Sequence, residues 1–166
     1  MKVLVTAASR HGSTSDIASA IIRVLRLRGF DADLVEPAEV NDLMDYDAVV
    51  LGSAIYAGRW MTPAIDLVAR CRPQLAGRPV WLFSSGPVGS PANPAESPDM
   101  SKLMEQTGAL GHRVFAGKLD KAELGRLERT MIRAVRAPEG DYRNWDEITR
   151  WAAHISTGLL AVQRTR

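Results

Sequence analysis

Short apolar runs of strand length alternate with helix-patterned stretches along almost all of the 166 residues. Residues 2–6 (Lys-Val-Leu-Val-Thr) read as a buried strand with a brief β-branched run. Ile17, Ile21, Val24, Leu25 and Arg28 then recur at three- and four-residue spacing, the mark of a helix with one apolar stripe. Residues 32–35 form a short second strand. Residues 47–53 form a third, apolar enough for burial on both faces. Pro63 opens a helix holding Ile65, Leu67, Val68 and Cys71, because the missing proline N–H costs little in a first turn. Gly77, Arg78 and Pro79 break the chain before a fourth strand at 80–84. Residues 86–98, rich in Pro, Gly, Ser and Asn, read as a long loop that covers the neighbouring site. A short helix at 102–107 and a fifth strand at 112–119 follow. Asp120 caps a helix carrying Leu124, Leu127, Met131 and Val135. The closing helix sets Trp145, Ile148, Ala152, Ile155, Leu159 and Val162 on one face. No repeat or linker separates two cores, so residues 1–166 are read as one domain.

Strand–helix alternation of this kind implies an α/β fold with a parallel sheet and helices on both faces. Five strands in this length suit a doubly wound sheet of order 2-1-3-4-5. Ligands then bind at the carboxyl ends of the strands, beside the switch point between strands one and three. Three loops lie at that edge: 9–14, 53–60 and 84–90.

The first of these loops, Ser9, Arg10, His11, Gly12, Ser13 and Thr14, offers hydroxyls and free backbone N–H groups at a helix N-terminus. Unpaired N–H groups and the positive dipole end both favour an anion there. The same hydroxyls also suit ordinary N-caps. The turn lacks both Gly-x-x-x-x-Gly-Lys-Ser/Thr and Gly-x-Gly-x-x-Gly, which removes the main support for ATP, GTP or NAD. A hydroxyl-lined loop without lysine suits a singly esterified phosphate such as that of FMN. The second loop brings Ser53, Ala54, Ile55, Tyr56, Gly58 and Trp60. Tyr56 and Trp60 can flank a flat ring or pack against a helix, while Gly52 and Gly58 let backbone approach a ligand. The third, Ser84, Ser85, Gly86, Pro87, Val88 and Gly89, adds small residues and a tight turn.

Several other chemistries lack their residues. A receiver domain of the same topology needs carboxylates after strand one to hold Mg2+, and Thr6, Ala7 and Ala8 supply none. Cys71 falls on a helix, far from an anion loop, and reads as a small core residue rather than a nucleophile. His11, His112 and His154 show no ligand spacing and no companion cysteine, so no metal site is expected. No nucleophile elbow supports a Ser-His-Asp hydrolase. Lys and Arg are scattered, with a formal charge of +2, and form no basic stripe for nucleic acid. No apolar run approaches the roughly 20 residues of a membrane span. Arg10, His11 and Asp16 interrupt the opening apolar run too early for a signal peptide. One cysteine builds no disulfide framework and fits a reducing compartment, so a cytoplasmic protein is expected.

These residues resemble the flavodoxin-like family, on the branch that includes menaquinone-dependent protoporphyrinogen IX oxidases. The resemblance is carried by Ser9 to Thr14 with Ile17 and Ala18, by Val50 to Ile55 with Gly58, and by a closing segment around Asn144, Trp145, Asp146 and Glu147. It implies noncovalent FMN with its phosphate on residues 9–14, its ring between the second and third loops, and redox chemistry performed by the flavin itself. The branch carries a longer, basic segment after the fourth strand. Here residues 86–101 are Pro-rich, with Glu96 and Asp99 and neither Lys nor Arg.

Two functions follow from that resemblance. One is an FMN-dependent oxidoreductase with a small-molecule or quinone electron partner, such as a porphyrinogen oxidase. The other is an electron-transfer flavodoxin that serves partner proteins. Shuttles tend to be strongly acidic, whereas this chain has 21 basic and 19 acidic residues, which favours the oxidoreductase. The closing segment, residues 141–162, either is a helix that only covers the sheet or, through Arg143, Arg150 and Trp151, offers a basic and aromatic face to a quinone-bearing membrane or an anionic substrate.

Overall fold

The computed structural model describes residues 1–86, 99–119 and 139–165. Its elements run β1 (Lys2–Ala8), α1 (Ser13–Leu27), β2 (Asp31–Leu34), β3 (Ala48–Tyr56), β4 (Arg59–Trp60), α2 (Thr62–Ala76), β5 (Val80–Ser85), α3 (Ser101–Thr107), β6 (Gly111–Phe115), β7 (Lys118–Leu119), β8 (Gly140–Asp141) and α4 (Trp145–Thr165). The main strands pair in the order β2-β1-β3-β5-β6, all parallel, which is the doubly wound order expected.

Alternate residues of each central strand feed opposite layers, as the pleat requires. Val3 and Val5 join Ile17, Ile21, Phe83, Phe115, Ile148 and Ile155 beneath α1 and α4. Leu4 faces the other way, with Leu51, Leu67, Val68, Cys71 and Leu82 beneath α2. Both faces of the sheet are therefore dry, and the near-continuous apolar strands follow from that. Cys71 is buried in this second layer, and desolvation pushes its thiol pKa up.

Four local expectations are corrected. β3 continues to Tyr56 because its end gains an antiparallel partner, β4, across a two-residue turn. Ala57 and Gly58 both take positive φ there, 49° and 70°, the geometry of a primed hairpin turn. The run 112–119 is split: β6 stops at Phe115, and β7 leaves the sheet to pair with β8. Arg28 ends α1 as its C-cap instead of extending the stripe. Trp145, at the start of α4, is 42% exposed, while Ile148, Ala152, Ile155 and Leu159 are buried. The helix expected from Asp120 and residues 87–98 of the long loop lie outside the described residues.

Candidate functional site

The N-terminus of α1 has no side-chain cap. Its N-cap is Gly12, held at φ 77° in the left-handed region that only glycine adopts freely. The first intrahelical bond runs from the Asp16 N–H to the Gly12 C=O at 2.9 Å. The N–H groups of residues 13–15 therefore lie ahead of the helical ladder. The Ser13 Oγ accepts a bond from the Lys118 N–H at 3.1 Å, and a serine hydroxyl still has its own proton to donate. Ser13 and Thr14 thus do not cap the helix through their side chains.

This terminus opens into a cleft of about 120 Å³ at the carboxyl end of the sheet, narrower than the roughly 300–1,000 Å³ of most small-molecule sites. Ser9, Arg10, His11, Ser13 and Thr14 form one wall, Ala54, Ile55 and Tyr56 a second, and Ser85 with Gly86 a third. Gly117, Lys118 and Leu119 complete it. These last three are absent from the loops that the sequence marks as the site, because 112–119 reads there as one continuous strand; Gly117, which interrupts that run, is the signal for them. Tyr56 is 39% exposed at the rim. His11 meets it edge-on at 6.5 Å, and the Arg10 guanidinium lies 5.8 Å from its centroid. Gly86, at φ 97°, donates its N–H to the Phe115 C=O, and a Cβ on Gly117 would stand 3.4 Å from the Gly86 backbone. Two glycines therefore let the ends of β5 and β6 close together behind the cleft. No carboxylate is among the described residues that line it.

Other expected site residues hold the wall from behind. The Ser53 Oγ accepts the Met61 N–H at 2.9 Å and donates to the Ala54 C=O at 2.8 Å. Trp60 does not flank the cleft. It is 6% exposed, and its Nε1–H donates to the Ser84 Oγ at 2.8 Å. Ser84 Oγ also lies 2.8 Å from His112 Nε2, and burial holds the His112 pKa below its usual value. A neutral imidazole accepting at Nε2 completes this buried chain of bonds. Gly58 serves the hairpin turn, and Gly52 makes room for the Phe83 ring rather than for a ligand. Pro87, Val88 and Gly89 lie outside the described residues.

The closing segment does not present Arg143 to solvent. That side chain is 6% exposed, with Nη1 2.8 Å from Asp16 Oδ2 and Nη2 2.7 Å from Asp141 Oδ2. Its guanidinium lies 4.5 Å from the Trp145 ring centroid. The pairing with Asp141 raises the Arg143 pKa and lowers that of Asp141. Trp151 is half-buried and packs edge-on against Phe115 at 5.5 Å and Phe83 at 6.0 Å. Arg150 remains exposed. No helix among the described residues is long and apolar enough to cross a membrane.

Known proteins share this fold. The protoporphyrinogen IX dehydrogenase [quinone] of Escherichia coli strain K12 is 23% identical over 180 aligned positions, covering 94% of this chain and 95% of that one. A flavodoxin from the domain Archaea superposes with a TM-score of 0.63 at 17% identity, over 95% of this chain and 98% of that one. Oxidised Flavodoxin 1 from Bacillus cereus gives 0.62 at 15% identity, over 92% and 95%. The flavodoxin domain family matches residues 4–146, and the chain belongs to that family.

Proposed function

We propose that the cleft binds FMN and that the chain is an FMN-dependent oxidoreductase, a single cytoplasmic domain. The carrying observation is the uncapped N-terminus of α1, opening directly into a cleft with a half-exposed tyrosine on its rim. Ser9, Arg10, His11, Ser13 and Thr14, with the N–H groups beyond Gly12, suit a phosphate dianion, since both the donors and the helix dipole favour negative charge. Ala54, Ile55, Tyr56, Ser85 and Gly86 suit the ring. When bound, the flavin supplies the electron-accepting centre; the chain binds it, orients it and shields it from water.

The finer reading is a porphyrinogen-type electron donor with a quinone acceptor. It rests on the likeness to the quinone-linked dehydrogenase of Escherichia coli. An electron-transfer flavodoxin serving partner proteins is the second reading. The near balance of 21 basic and 19 acidic residues, with no carboxylate among the described residues lining the cleft, argues against steering to a basic partner. Fluorescence titration tests the cofactor: Ser13→Ala with Thr14→Ala should weaken FMN binding by about 1–3 kcal/mol for each lost bond to the charged phosphate. Unchanged affinity in that double variant moves the phosphate elsewhere. Reduction of the reconstituted protein by protoporphyrinogen, at turnover rates that saturate with substrate, separates the two functions; a pure protein-to-protein shuttle shows no such saturable turnover.

A further inference from the structure

We infer that Arg143 is a positioning residue for the phosphate end of the cleft: by neutralising Asp16 and tying the β7–β8 pair to the α1 N-terminus, it sets the preference for a phosphorylated ligand. The inference rests on the FMN reading above. Asp16 lies in the first turn of α1, where a carboxylate suits the helix dipole. The same position sets a negative charge beside the N–H groups that would receive a phosphate. Asp141 is joined to Asp16 through the same guanidinium. Without Arg143, Asp16 would lose this ion pair and Asp141 would keep only the field of Lys118, which leaves added negative charge near a bound dianion.

The arginine answers both charges with one planar fork. Its Nε and Nη2 reach the two oxygens of Asp141 at 2.8 and 2.7 Å, while Nη1 reaches Asp16 at 2.8 Å and lies 3.4 Å from the Ser13 C=O. A lysine cannot make that set of directed bonds. Backbone bonds extend the clamp: Tyr142 N–H donates to the Gly117 C=O, and Lys118 N–H to the Ser13 Oγ, both at 3.1 Å. Gly117, Lys118 and Ser13 all line the cleft. A cation only 6% exposed carries a desolvation cost, and its partners here converge on the helix end that faces the ligand.

The test compares FMN with riboflavin, which lacks the phosphate, and adds inorganic phosphate as a flavin-free probe. Arg143→Gln is expected to weaken FMN roughly tenfold, and riboflavin less than about twofold, because only the dianion feels the released carboxylates. Adding Asp16→Asn to that variant should recover most of the FMN affinity, and Arg143→Lys should recover part. Phosphate should raise the Tm of wild-type apoprotein and of the Asp16→Asn, Arg143→Gln variant more than that of Arg143→Gln. Equal losses for FMN and riboflavin, or no recovery with Asp16→Asn, would overturn the inference and leave Arg143 a structural strut. Failure of the wild type to bind FMN, with the phosphate pattern intact, would instead overturn the flavin reading alone.

Discussion

Gly52→Ala distinguishes a glycine that admits a ligand from one that admits a neighbour. Gly52 of β3 stands in register with Phe83 of β5. A Cβ at Gly52 would fall inside the van der Waals envelope of the Phe83 ring, against Cζ, Cε1 and Cε2. The ring has nowhere easy to go. Phe83 is fully buried, with Phe115 centred 6.2 Å away on one side and Trp151 6.0 Å away on another. Overpacking of this kind costs about 1–3 kcal/mol, and a ring boxed in by two others belongs at the upper end, ~3 kcal/mol. For a chain of this length that lowers Tm by about 6–12 °C. Urea denaturation followed by circular dichroism measures the loss directly. Adding Phe83→Leu, which withdraws the far end of the ring, should make the double variant less destabilised than the sum of the singles, with a coupling of about 1 kcal/mol or more. FMN affinity of the folded Gly52→Ala protein should stay near wild type. A loss below about 0.5 kcal/mol, or strict additivity with Phe83→Leu, would refute the packing argument.

Two other outcomes follow from the buried groups. Burial depresses the His112 pKa in the folded chain, so the unfolded chain binds that proton more readily. The neutral ring's contribution is whole above about pH 6.5 and is lost as pH falls from there through the folded value. His112→Asn should flatten this acid-side slope of Tm; an unchanged slope would assign it to other groups. Cys71, 1% exposed with its thiol pKa raised by desolvation, should react with a thiol reagent at pH 8 only as fast as the protein opens, and urea below the transition should speed that reaction. Immediate stoichiometric labelling of the native chain would contradict its burial.

The alternation of strand and helix, the two-faced burial of the central strands and the place of the anion loop are properties of local pattern. Val3, Leu4 and Val5 are all apolar because both faces of β1 are covered, and Ile17, Ile21 and Leu25 repeat at helical spacing because one side of α1 is buried. Burial imposes those periods on the sequence itself, so they can be read there. Contacts between distant segments leave no such period. Nothing near Tyr56 announces that β3 will continue, since the primed turn begins with Ala57 where asparagine or aspartate is the usual signal. Trp60 turns inward, where Ser84, 24 positions later, accepts its N–H; in the sequence a ring on an edge loop suits a ligand equally well. Gly52 carries no sign of Phe83. Arg143 was legible only as a charge off the apolar stripe, and its partner Asp16 lies 127 positions earlier. Hydrophobic periodicity decides which way a helix or strand faces, and so determines the fold and the edge where a ligand sits. Which polar groups meet at that edge depends on loop closure and packing between segments far apart in the chain, and only the tertiary structure decides that.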